Sequence, residues 1–376
     1  MKTKFQRNVS PLERIFILLS KIDQPFSNQM VLEGTGALDI SRWDTGWSRW
    51  AKWVDSGVSA PIRVFDGTHW SGNGPDGAPF LFDPLPFQQT HSCEVVLVQG
   101  HPSRVVFRTL HATMDGGGTL LWVYDIFRAL RGEPFMGSSS TLTDTELLSG
   151  LNYPVRKKRK AGKCLAPTGA IEGEATGYIW KRAQLQGSFS RLLPRAALAI
   201  ARETRKQGPG SVCFNVPFDL RLRIPGLRST ANLSRRLVLQ VPPEATVDTI
   251  HEQMRYDLDH ISGDPKILKL ITYAPLGWIN RLFTFLRKKS LRSGRYPTTG
   301  SISNLGRIQM DLLQGGGFET RTAFFIPPGT EAKPFFMTLA GCRDSVEMVV
   351  SMPKGLASNG RLDRFIANLT AALNAR

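Results

Sequence analysis

Two hydrophobic periods alternate along the chain, and the switches between them outline its elements. Ser10, with Pro11 at the first helical position and Glu13 at the third, forms a capping box ahead of an apolar run and predicts a helix over 11–21. Residues 30–38 read as a strand. Residues 40–54 read as a helix with Trp43, Trp47, Trp50 and Ala51 on one face, a stripe assigned to core. Gly, Pro and Asp crowd 66–90, which reads as loop. Two short apolar runs, 94–99 and 104–110, flank Gly100-His101-Pro102-Ser103 and predict a hairpin whose second strand ends at His111. Beyond a run of glycines, Leu120, Val123, Phe127 and Leu130 recur at helical spacing until Gly132 stops the helix.

The second half continues with a helix over 189–206, strands over 212–222 and 237–241, and helices over 245–262 and 266–290. Strands near 298–304, 317–326, 334–341 and 345–352 and a closing helix over 358–374 complete it. Between the halves the pattern breaks: a basic run, 156–160, leads into Gly, Pro, Ala and Thr without apolar periodicity. This places a first domain at 1–160, a linker at 161–177 and a second domain at 178–376. Each half mixes helices with hairpin-type strands, an α+β arrangement.

Length agrees with that division, because 376 residues exceed what one core usually organises. With 41% hydrophobic and 21% charged residues, the composition is that of a globular protein. No apolar run approaches the 18 residues of a membrane-spanning helix, and the N-terminal run at 15–19 is too short for a secretory leader, so a cytoplasmic protein is expected. Cys93, Cys164, Cys213 and Cys342 are scattered without CxxC spacing, which predicts neither a zinc site nor a disulfide framework. Lys and Arg outnumber Asp and Glu by 48 to 31, a net charge of +17 that calls for a polyanionic partner. Nucleic acid, anionic lipid, coenzyme A phosphates and an acidic carrier protein all satisfy it. Nucleic acid has charge alone in its favour, since no recognition motif accompanies it.

The segment HATMDGGG, 111–118, concentrates the candidate chemistry. His111 and Asp115 stand four apart and could share a helical face as metal ligands, but the following glycines disfavour a helix there and no third ligand is close in sequence. A phosphate cradle would require GxxxxGK[ST] or GxGxxG, and neither is present. Two readings remain open: a structural turn histidine, and a neutral imidazole that takes a proton near physiological pH, with the glycines letting the backbone approach whatever the histidine acts upon.

HATMDGG resembles the HxxxDG signature of the chloramphenicol acetyltransferase-like superfamily, which includes condensation domains of nonribosomal peptide synthetases and plant and polyketide-associated acyltransferases. Three further segments resemble that family in order: the Ser10 helix with 28–32 and 36–39; Val216-Pro217-Phe218-Asp219-Leu220-Arg221 with Asn232 downstream; and Ser301-Ile302-Ser303-Asn304-Leu305-Gly306. Leu110 stands where condensation domains carry a second histidine, and the DFGWG segment of the plant enzymes is missing.

The resemblance implies two similar lobes in a V with a central tunnel and His111 at its middle. It implies an acyltransferase in natural-product biosynthesis, with coenzyme A or an acidic acyl carrier protein presenting an acyl thioester, a hydroxyl or amine acceptor, and an ester or amide product. No metal and no cofactor beyond the acyl donor is implied. His111 would be the base. Asp115 would form a structural ion pair, for which Arg221 is the candidate: strand alternation over 214–223 puts it on the polar face, and a buried carboxylate without a partner costs several kcal/mol. Oxyanion donors would come from the Gly116 backbone N–H with Ser303 or Asn304, although Asn304 is equally suited to tying the interdomain strand. His69, His91, His101, His251 and His260 lack comparable context. Arg287, Lys288, Lys289, Arg292 and Arg295 form a candidate basic patch. Before them, Trp278, Ile279, Leu282, Phe283 and Leu286 make an amphipathic helical pattern suited to core, a membrane surface or a tunnel wall. The competing function is a non-catalytic condensation-like module that docks a carrier protein.

Overall fold

A computed structural model describes residues 7–23, 25–54, 62–85, 92–151, 163–173, 176–260 and 273–375. The basic run at 156–160, His91, residues 161–162 and 174–175 of the expected linker, and residues 261–262 and 266–272 of the two expected helices lie outside the described residues. The chain begins with α1 (Pro11–Ile22), β1 (Ser27–Thr35), α2 (Ile40–Val54), β2 (Arg63–Asp66), β3 (Cys93–Gln99), β4 (Ser103–Leu110), α3 (Gly116–Leu130) and α4 (Asp144–Gly150). It continues with β5 (Tyr178–Gln186), α5 (Leu192–Arg205), β6 (Cys213–Asp219), β7 (Ser234–Gln240), α6 (Val247–Asp259), α7 (Leu276–Ser293), β8 (Gly300–Arg307), β9 (Gln314–Gly315) and β10 (Phe318–Ile326). β11 (Phe336–Gly341), β12 (Ser345–Pro353), α8 (Lys354–Ala357) and α9 (Arg361–Asn374) close it.

The strands form two sheets, ordered β2-β3-β4-β1-β10-β9 and β5-β12-β11-β8-β6-β7. One face of the first is covered by α2 and α3, whose Trp43, Trp47, Trp50 and Trp122 bury against Phe107 and Phe127. The tryptophan stripe of α2 is core. One face of the second carries α5 and α9, with Ala196, Ile200, Phe365 and Leu369 packed on Leu239, Leu339 and Met348. A third cluster, with Val31, Val106, Phe324, Trp180 and Val349, joins the sheets. Beside it Arg182 bridges them in charge, with Nη1 2.6 Å from Glu33 Oε2 and Nε 2.6 Å from Glu347 Oε2, while Arg104 Nε holds Glu33 Oε1 at 2.7 Å.

Two expectations need correction. The lobes are not contiguous in sequence: β9 and β10 belong to the first sheet, with β10 paired to β1 from Gln29↔Ile326 to Thr35↔Glu319. β1 is buried along both faces, so it needs a neighbour on each side, and β4 supplies only one. The strand expected over 212–222 ends at Asp219, because its carboxylate accepts the Arg221 N–H at 2.9 Å and turns the chain into a 3-10 helix over Leu220–Arg223.

Among the described residues, no helix is long and apolar enough to cross a membrane, and no cluster of metal-ligating side chains forms. All four cysteines are buried and free.

Candidate active site

β4 runs through the first sheet and ends at Leu110, where a turn closed by Thr113 N–H to Leu110 O at 2.9 Å presents His111. The backbone N–H of His111 donates to Phe26 O at 3.2 Å. Its ring packs against two aromatic rings that also touch each other, with centroids 4.3 Å from Phe16 on α1, 5.3 Å from Phe26, and 5.6 Å between the two phenyl rings. Nδ1 is 3.2 Å from the Met114 carbonyl oxygen and 3.3 Å from Asn28 Nδ2, whose shorter bond, 2.7 Å, goes to that same carbonyl. With the Asn28 amide engaged there and the carbonyl able only to accept, the proton is assigned to Nδ1 and the lone pair to Nε2. Burial, opposed in part by the Asp115 carboxylate, lowers the imidazole pKa below its ordinary value, and the charge of Lys333 acts in the same direction. The residue nonetheless keeps part of its surface accessible.

Asp115 turns toward the second lobe. Its side chain caps α3, accepting the Gly118 N–H at 2.7 Å, and also accepts the Leu233 N–H at 2.8 Å and the Ser234 hydroxyl at 2.9 Å. Arg221 Nη2 and Nη1 approach its two oxygens at 3.0 and 3.2 Å. Burial alone would raise its pKa, but Arg221 and these donors more than offset that and hold the carboxyl below the usual carboxylate range. Arg221 is saturated in turn, donating to Asp219 Oδ1 at 2.8 Å, to Ser229 O at 2.6 Å and to Ala231 O. The pair therefore ties the histidine loop to the second lobe. A second tie runs through α1, where Glu13 bonds Arg7 at 2.7 Å and accepts from Asn232 Nδ2 at 3.3 Å.

The glycines serve this junction. None of the three has positive φ. A Cβ on Gly118 would run into the Thr230 carbonyl oxygen of the second lobe, and one on Gly117 would lie 2.7 Å from Asp219 Oδ2. What the bare backbone lets close is the opposite lobe. Gly116 opens α3, where helix geometry leaves its N–H without an intrahelical acceptor.

No family model matches the chain, and no curated protein matches it. Solved structures do. A starter condensation domain of rhizomide synthetase in complex with C8-CoA superposes with a TM-score of 0.63 over 98% of this chain and 95% of that one, at 14% identity. The first condensation domain of the calcium-dependent antibiotic synthetase, bound to a substrate analogue, superposes at 0.62 over 99% and 97%, at 15% identity. This chain has the condensation-domain fold.

Of the two expected oxyanion donors on β8, Ser303 is half-buried, whereas Asn304 is exposed and its Oδ1 accepts the Gly306 N–H at 3.0 Å. Leu305 on the same strand lies so close to α3 that a Cβ on Gly116 would be 2.9 Å from its Cδ2.

Four residues at this wall escaped the sequence reading in any functional role: Phe16, Phe26, Asn28 and Lys333. Lys333 lies in the connection between β10 and β11 and donates from Nζ to Ser301 Oγ at 3.0 Å. Burial pushes its pKa down to about 8, assisted by the charge of Arg236. The basic patch on α7 is only partly free, since Arg287 is paired with Asp23 at 3.1 Å and with Glu331. Of the amphipathic pattern there, Ile279 is buried whereas Trp278 and Leu282 are exposed, so the stripe is not core. Two surface hollows of about 470 and 290 Å³ lie away from His111, over Thr35 and Arg343 and over Arg104 and Arg182, where the charged groups are already ion-paired.

Proposed function

We propose that this chain is an acyltransferase that moves an acyl group from a thioester, carried by coenzyme A or a carrier protein, to a hydroxyl or amine in natural-product biosynthesis. The observation that carries this reading is the imidazole of His111: Nδ1 faces Met114 O, Nε2 has no partner among the described residues, and the residue keeps part of its surface accessible beside Phe16 and Phe26. As the acceptor attacks the thioester carbonyl, Nε2 takes its proton. The oxyanion that forms meets the Gly116 N–H and the Ser303 hydroxyl. Collapse breaks the C–S bond, and His111 returns the proton to the leaving thiolate, giving an ester or amide and a free thiol. The thioester is already activated, so the reaction needs no metal and no further cofactor. The fold adds support, because the rhizomide synthetase domain that shares it was solved with C8-CoA and with Leu-SNAC.

The test is thiol release and acyl-product mass on incubating the protein with acyl-coenzyme A and acyl-pantetheine donors and with amine and hydroxyl acceptors. His111→Ala is expected to lower turnover by roughly 10² to 10⁴ while leaving the circular dichroism spectrum and the melting temperature unchanged. Wild-type turnover in that variant would overturn the role of His111. Carrier binding without turnover by the wild type would replace this function with that of a docking module.

A further inference from the structure

One helix combines two features that the catalytic reading leaves unused, an exposed apolar stripe and unpaired positive charge. α7 is fixed to the body along one side: Ile279 is buried, and Arg287 donates to Asp23 at 3.1 Å and to Glu331. On the side turned to solvent, Trp278, Leu282, Phe285 and Leu286 stand at i, i+4, i+7 and i+8, a spacing that sets them in one stripe. They are 75, 56, 64 and 45% exposed, so the stripe protrudes rather than lining a groove. Four of the thirteen exposed large apolar side chains among the described residues thus fall on this helix, and a cluster of that kind marks a contact surface where scattered ones would not.

The charge is arranged beside the stripe. Arg281, Lys288 and Arg292, at i, i+7 and i+11, run along one of its edges, and Lys289 sits at its C-terminal end. All four are exposed. The ion pairs of this helix among the described residues are those of Arg287, and from Leu276 to Ser293 the sequence has no Asp or Glu. A nucleic acid would answer the cations and leave Trp278 and Phe285 in water. A folded acidic protein would need a groove of its own to receive a protruding stripe. A bilayer with anionic headgroups takes both parts without a preformed groove, because apolar side chains sink to the acyl chains while Lys and Arg stay at the level of the phosphates. The contact lies in the plane of the surface, since no described helix is long and apolar enough to cross a membrane.

We propose that α7 is a peripheral membrane-binding helix, lying in the headgroup layer of an anionic bilayer with Trp278, Leu282 and Phe285 inserted and Arg281, Lys288 and Arg292 against lipid phosphates. The inference goes beyond the acyltransferase reading and does not depend on it.

The test is flotation of the full chain, at physiological salt, with vesicles of phosphatidylcholine alone and of an equimolar mixture of phosphatidylcholine and phosphatidylglycerol. The wild type is expected to partition about tenfold or more in favour of the anionic vesicles, each cation near such a surface contributing about fivefold. Trp278→Ser, Leu282→Ser and Phe285→Ser combined are expected to weaken that binding about tenfold or more. Arg281→Gln, Lys288→Gln, Lys289→Gln and Arg292→Gln combined should abolish the preference for the anionic lipid. These side chains are exposed, so circular dichroism and melting temperature should stay those of the wild type. Trp278→Phe preserves the apolar contact and should still bind, while losing most of the tryptophan quenching by brominated lipid, a readout that does not depend on how the multiple variants fold. Absence of vesicle binding by the wild type overturns the proposal. So does a serine variant that binds as the wild type does, which would mean that the +17 chain adheres by charge alone, and so does quenching that Trp278→Phe leaves unchanged. Capture of an acidic acyl carrier protein that the serine variant loses, without vesicle binding, would assign the face to a protein instead.

Discussion

Two charged clusters meet at the same histidine loop, and they are built on opposite rules. On one side Asp115, Arg221 and Asp219 are buried, and their charges are answered by one another and by backbone groups of the second lobe. On the other side His111 and Lys333 make no ion pair among the described residues, and burial lowers the pKa of both. Charge that is fully answered holds two lobes in register. Charge left unanswered in a desolvated wall costs stability, and it earns a place only where a substrate completes it.

The contrast is tested most severely by Asp115→Ala, which strands a buried guanidinium and removes the cap of α3. It is expected to cost about 3–5 kcal/mol, read as a loss of denaturation midpoint, with activity lost alongside. Gly118→Ala probes the same junction sterically, since its methyl group meets the Thr230 carbonyl. About 1–3 kcal/mol of destabilisation is expected, and an unchanged melting temperature would show that the lobes part easily there.

The unanswered side predicts a pH effect. His111 must be neutral to act, and its pKa is depressed, so the acid limb of kcat/KM should begin only below pH 6.5 and then fall tenfold per unit, about 1.4 kcal/mol each, once pH drops under the shifted pKa. An acid limb that sets in above 6.5 would contradict the desolvated ring. The smallest effect is expected for Lys333→Met: removing a cation with no anionic partner should leave stability within about 1 kcal/mol of wild type, on the stabilising side, whereas a loss like that of Asp115→Ala would mean that Lys333 belongs to the architecture.

How much of this was legible depended on how local the cause was. The capping box at Ser10, the helix over Ile40–Val54 and the hairpin leading to His111 follow from short-range patterns, and the structure has them. Asp115 and Arg221 are 106 residues apart, and the family resemblance implies the ion pair of Asp115 while strand alternation points to Arg221 as its partner, the pair that the structure brings together. The glycines were assigned to substrate approach because the sequence could not reveal that Thr230 packs against them. Lys333 stands in a connection with no motif, and only sheet pairing brings it to Ser301. Arg221 was placed on a strand by alternation, but the Asp219 side chain ends that strand first. The sequence division at 161–177 failed for 314–326 because strand addition across lobes leaves no local signature.

That added strand bears on how the protein is made. Translation completes residues 27–110, the bulk of the first sheet, long before it reaches Phe318–Ile326, so β1 waits with one edge of unpaired backbone N–H and C=O groups open while most of the second lobe is synthesised. A nascent chain stalled before residue 318 should therefore need a chaperone to stay soluble, and release from that dependence should come only as the ninth residue of β10 leaves the ribosome.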